Sequence, residues 1–83
     1  MAGSHRYRPE ILDALWRHGV HATPSTDPVL VRNFVRDLYK YEIRRLRERY
    51  VGGEFPRREY SERVEALRRR YPVLGWPARL WLE

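Results

Sequence analysis

The chain contains no cysteine, which excludes a disulfide framework, a thiolate nucleophile and a cysteine-based zinc site. It has no apolar run approaching eighteen residues, so no segment is expected to cross a bilayer as a helix. Met1 to His5 lacks the apolar stretch of a signal peptide, and together with the missing thiols this makes the cytoplasm the expected location. No segment alternates polar and apolar residues with period two, so no strand is expected. Lysine is nearly missing as well, Lys40 standing alone among arginines.

What is present suits one small folded domain. Of 83 residues, 42% are hydrophobic and 34% charged, too apolar for a disordered tail and too charged for a membrane span. A chain of this length buries only about 60–65% of the surface its unfolded form exposes, so its core is thin. That leaves no room for a two-domain enzyme or a fold enclosing a large cofactor, and no cofactor or small-molecule substrate is expected. Seventeen basic residues stand against eleven acidic ones, a formal net charge of +6. Such a balance favours anionic partners, nucleic acid among them. An arginine bias this strong equally follows from a GC-rich coding sequence or a thermophilic source. Both readings stay open.

Helix signals divide the chain into an all-α order. Residues 1–8 carry no periodicity and are expected to form a flexible basic arm. Pro9 suits a first helical turn, Ile11, Leu12, Leu15 and Trp16 share a face, and Gly19 suits a left-handed cap, predicting a helix over about 9–18. Asp27 followed by Pro28 is a strong helix start, and Gly52-Gly53 a strong stop, predicting a long central helix over 28–51. Its apolar positions, among them Val31, Phe34, Val35 and Leu38, form a broad band that drifts around the helix, as wrapping against more than one neighbour requires. A third helix is expected over about 57–71, stopped by Pro72. The tail from 72 to 83 is apolar, with Val73, Leu74, Trp76, Leu80 and Trp81, and Trp76-Pro77 is placed to start one more helical turn.

The segment from Leu46 to Tyr60, LRERYVGGEFPRREY, resembles the SHOCT module, a short helical hairpin of bacterial proteins, over about residues 42–71. Leu46, Gly53, Glu54, Phe55, Glu59 and Tyr60 stand where that family has its leucine, glycine–glutamate–hydrophobic turn, acidic residue and aromatic, and Leu67 suits the later apolar position. Pro56 departs from the pattern, because it lacks both the capping oxygen and the N–H of a capping box with Glu59. Arg57 and Arg58 reverse the acidic charge common at the start of the family's second helix. The resemblance implies an interaction or oligomerisation module and brings no catalytic residues.

Four constellations are candidates for function. Tyr39, Ile43, Leu46 and Tyr50 with Tyr60, Val64, Leu67 and Tyr71 form two apolar stripes, expected to be a helical seam for self-association or a protein partner. Trp76 and Trp81 either fold back over the core or join that interface. Arg44, Arg45, Arg47, Arg57 and Arg58 crowd the hairpin turn and are candidates for phosphate contacts. Arginine there also complements the negative end of the long helix and pairs with its neighbours, as in Glu59–Arg63, Glu65–Arg69 and Arg44–Glu48. Glu42 falls inside the apolar band, where a carboxylate needs a partner, and Arg45 or Arg49 is expected to supply an ion pair. Of the histidines His5, His18 and His21, the last two straddle Gly19 and so do not share a helical face, and no metal site is expected.

These readings converge on a non-enzymatic interaction module, expected to act as a homodimer or with a protein partner. The alternative is a helical nucleic-acid binder contacting backbone phosphates through arginines.

Overall fold

A computed structural model describes residues 5–83 of the chain. Three α-helices run in order, α1 over Pro9–Trp16, α2 over Pro28–Val51 and α3 over Arg57–Arg69, followed by 3-10 turns at Pro72–Gly75 and Ala78–Trp81. The fold is all-α: among the described residues the one extended pairing is an isolated antiparallel bridge between Tyr7 and Leu82. The molecule is elongated, 53 × 19 × 17 Å, because α2 alone spans about 36 Å at 1.5 Å per residue. No helix among the described residues is long and apolar enough to cross a membrane.

The helix ends follow from local chemistry. Asp27 accepts a hydrogen bond from the Val29 N–H at 2.8 Å and Pro28 occupies the first turn, satisfying one orphan donor and needing none at the proline. At the other end the chain reverses through Gly53, whose φ of +82° is open to glycine at little cost. α1 ends at Trp16, two residues before its expected end, and closes through Gly19 at φ +74°, with the Val20 N–H donating to the Leu15 carbonyl at 3.0 Å. α3 also stops two residues early, at Arg69. Pro72 disfavours the helical conformation at the residue before it, and Tyr71 sits at φ −122°, ψ 53°.

The most deeply buried part of the core, Leu15, Val35 and Trp81, lies towards the N-terminal end of α2. Ile11 and Leu15 of α1, Val31 and Val35 of α2, Val73 and Trp81 of the tail form one buried cluster. The tail folds back in cis. Trp81 is fully buried, and its indole N–H donates to the Val73 and Trp76 carbonyls at 3.3 and 3.2 Å. Arg32 fastens the same segment, donating from Nε to the Trp76 carbonyl and from Nη2 to the Leu74 carbonyl, both at 2.9 Å.

The expected flexible arm over residues 1–8 does not hold for its described part. Tyr7 is buried, the His5 N–H donates to the Pro24 carbonyl, the Arg8 N–H donates to the Trp81 carbonyl, and the Glu83 N–H donates to the Arg6 carbonyl. An aromatic residue in the arm supplies burial that its basic neighbours do not. Met1 to Ser4 lie outside the described residues.

Candidate binding surfaces

The two apolar stripes form the inner seam of the α2–α3 hairpin. Leu46, Phe55, Leu67 and Tyr71 are buried, and Tyr39, Ile43, Tyr50, Tyr60 and Val64 pack half-buried against them. Tyr50 and Tyr60 stack at 4.6 Å between ring centroids, with Phe55 beside them. The apolar surface nominated for a partner is therefore largely covered within the chain. Trp81 is likewise taken up by the core, whereas Trp76 stays partly exposed.

A different apolar stripe remains open. On α2, Leu30, Phe34 and Tyr41 are 66, 58 and 53% exposed. At about 100° per residue they fall within some 40° of one another, roughly 120° around the helix from the buried Val31, Val35 and Leu46. The apolar residues of α2 thus divide between an inner face that makes the core and an outer face that stays more than half exposed. Phe34 belongs to the drifting band read from the sequence; Leu30 and Tyr41 do not. The signal that could have found them is their own spacing of four and seven residues.

Glu42 is half-buried, and its partner is not an arginine. The Tyr71 hydroxyl donates to Glu42 Oε2, while Arg45 donates to the Tyr41 hydroxyl at 3.1 Å and Arg49 pairs with Glu54 at 3.1 Å. The expected ion pair with Arg45 or Arg49 is replaced by a neutral donor brought from 29 residues away by the hairpin. A phenol held by a carboxylate avoids placing two charges in a partly dry site. Burial first, and then the bond to and charge of Glu42, raise the Tyr71 pKa well above its ordinary value of 10.0, against a smaller opposing pull from Arg70. His18 stacks on the same ring at 4.2 Å, with its Nε2 enclosed and without a hydrogen-bond partner.

Around this group opens a cleft of about 530 Å³, walled by Arg17, Arg69 and Arg70 and floored in part by Ala14, Leu38 and Pro72. It continues, past Glu42 and Arg70, into a groove of about 370 Å³ between α2 and α3, where Arg45, Arg49 and Arg63 join the lining. Of the five arginines nominated for phosphate contacts, Arg45 lines this groove. Arg47 points about 160° away from Arg45 around α2, and Arg44, Arg47, Arg57 and Arg58 are all exposed. Among the nominated surface pairs, Glu59–Arg63 is made at 2.6 Å, while Glu65 pairs with Arg68 rather than Arg69. Arg49 and Arg63 also lie over the Phe55 ring at 5.5 and 4.5 Å. Among the described residues, no group of three or more His, Asp or Glu side chains gathers as a metal-holding set.

No protein-family model, curated protein or solved structure matches the chain.

Proposed function

We propose that this protein is a non-enzymatic interaction module that pairs with a second copy of itself through the outer face of α2. The observation that carries this reading is the exposed stripe of Leu30, Phe34 and Tyr41 on a helix whose opposite side makes the core. The stripe is close to symmetric about its own middle: Phe34 and Tyr41 lie equally far from the point between Asp37 and Leu38. Two antiparallel copies therefore set Phe34 against Tyr41 of the second chain and Leu30 beside the aliphatic stem of its Arg45, the self-complementary arrangement a twofold interface needs. The resemblance of residues 42–71 to the SHOCT hairpin supports the same class of function, with the hairpin as the scaffold that stiffens α2.

The pairing is weak by construction. The stripe is about 16 Å long, short for an interface that needs roughly 600–800 Å² from each partner. Each copy also carries a net charge of +6, whose repulsion is screened as salt shortens the Debye length from about 10 Å at 0.1 M to about 3 Å at 1 M. Sedimentation equilibrium from about 10 μM to 1 mM is expected to show mass rising towards the dimer, and more so at about 0.5 M salt than at 0.1 M. Phe34→Asp is expected to return the chain to a monomer without loss of helicity, because the side chain is more than half exposed and lies outside the buried core. A strict monomer across that range at both salt concentrations overturns the proposal.

A further inference from the structure

We propose that the arginine-walled channel formed by the α2–α3 groove and the adjoining α1-end cleft binds the phosphodiester backbone of single-stranded nucleic acid. The channel brings together Arg45, Arg49, Arg63 and Arg70, then Arg69 and Arg17. Four carboxylates oppose these six guanidinium groups: Glu54 and Glu59 pair with Arg49 and Arg63, Glu42 accepts from the Tyr71 hydroxyl, and Glu48 acts electrostatically on Arg45. The cationic excess that remains in the channel lies along its length, as contact with a chain-like anion requires.

Three of these six arginines are also held in place. Arg45 is fixed by the Tyr41 hydroxyl, and Arg49 and Arg63 by their carboxylates and the Phe55 ring. A guanidinium already ordered loses less freedom on meeting a phosphate, and its planar fork matches two phosphate oxygens at once. Tyr41, half-exposed at the mouth of the groove with Arg45 5.9 Å from its ring centre, offers a face on which a base can stack. Positively charged grooves that follow a backbone, with aromatic rings for successive bases, are the recurring means of binding single strands without sequence preference.

Width selects the single strand. The groove lies between two helices packed about 8–10 Å apart, so a duplex rests on its rims and reaches few of the guanidinium groups within. An acidic peptide meets the arginines but has no use for the stacking face. The site differs from the self-association stripe at every arginine except Arg45, and it shares Tyr41. Its test therefore uses Arg63 and Arg70, which lie on or beyond α3, and its failure leaves the pairing of α2 untouched.

The experiment is fluorescence anisotropy with a labelled twelve-residue oligothymidine and a duplex of the same length, from about 50 to 200 mM salt. Single-strand binding in the micromolar range or tighter is expected at about 150 mM, at least tenfold stronger than for the duplex. The log–log salt slope is expected near −2 to −3, or roughly −0.7 for each of three to four phosphates engaged. The double variant Arg63→Gln/Arg70→Gln is expected to weaken binding roughly tenfold and flatten that slope by about 1.4. Arg47→Gln/Arg58→Gln removes the same charge outside the channel and is expected to leave binding within about threefold. Circular dichroism checks the folding of each, and Arg70→Gln alone, at an exposed position, provides the same comparison if the double variant unfolds. Any of four results overturns the proposal: no binding at 150 mM salt, equal losses in the two double variants, a duplex bound as tightly as the single strand, or full displacement of the oligonucleotide by polyglutamate at matched charge.

Discussion

Tyr71 carries three contacts on one side chain. His18 stacks on its face, Tyr39 meets it edge-on at 5.1 Å, and its hydroxyl donates to Glu42. Because the folded state holds the phenol protonated, its pKa is raised above the unfolded value of 10.0. The sign follows from proton binding: above pH 10 the unfolded chain loses this proton while the folded chain keeps it, so stability falls as pH rises. The contribution is complete below pH 10. Burial, with Asp27 adding to it, raises the Tyr7 pKa in the same direction. Tyr71→Phe removes one of the two groups and is expected to flatten the decline in stability above pH 10. Near neutrality it is expected to cost about 1 kcal/mol, because the half-buried Glu42 carboxylate loses its donor. Urea titrations of both proteins at pH 7 and at pH 10–11 measure the two effects, and an unchanged alkaline slope would remove Tyr71 as its cause. The sequence wheel places Glu42 inside the apolar band, and in the structure the residue is half-buried. Its partner was not legible, because wheel geometry relates residues within one helix and Tyr71 arrives from the end of the next.

The two ends of α2 were the most legible part of the fold, since each rests on residues adjacent in sequence. Asp27-Pro28 and Gly52-Gly53 mark both ends of α2, and the helix runs between them. Replacing Asp27 by Ala removes the bond to the Val29 N–H and is expected to cost about 1 kcal/mol. Gly53→Ala forces a Cβ into the left-handed region and is expected to cost about 1–2 kcal/mol. In a domain of this size each kilocalorie lowers Tm by roughly 4–8 °C, so thermal melts resolve both variants, and an unshifted Tm for either would mean that its helix end is held by something else. Less legible was the face on which an apolar residue ends up. Phe34 and Val35 are neighbours in the sequence band, yet Val35 is fully buried and Phe34 lies open. Burial is decided by where α1 and the tail cross α2, which periodicity does not contain. Arg32 was missed for a related reason: an arginine among apolar positions reads as a break in the face, whereas here its fork caps two tail carbonyls.

At the scale of the whole molecule, both chain ends close one core. Tyr7 and Leu82 bridge, Arg8 donates from Nε to the Leu80 carbonyl, and Trp81 fills the space among α1, α2 and the first 3-10 turn. The hairpin at the far end of α2 rests on a thin seam in which Leu46, Phe55, Leu67 and Tyr71 are the buried members. Neither half has much core of its own, and the continuous 24-residue α2 joins them, which favours one cooperative transition over two separate ones. A domain of this length is stable by about 4–12 kcal/mol, while truncating a buried tryptophan costs about 3–5 kcal/mol. Trp81→Ala is therefore expected to remove much or all of the stability and to lower helicity in α3 as well as near the tail, although Trp81 lies at the opposite end of α2 from the hairpin turn. Trp76→Ala, at a partly exposed ring, is expected to cost less than half as much. Chemical denaturation followed by far-UV circular dichroism compares the two. A Trp81→Ala protein that kept its hairpin folded while losing α1 and the tail would show that α2 carries two independent units, and that the closure of the chain ends stabilises only one of them.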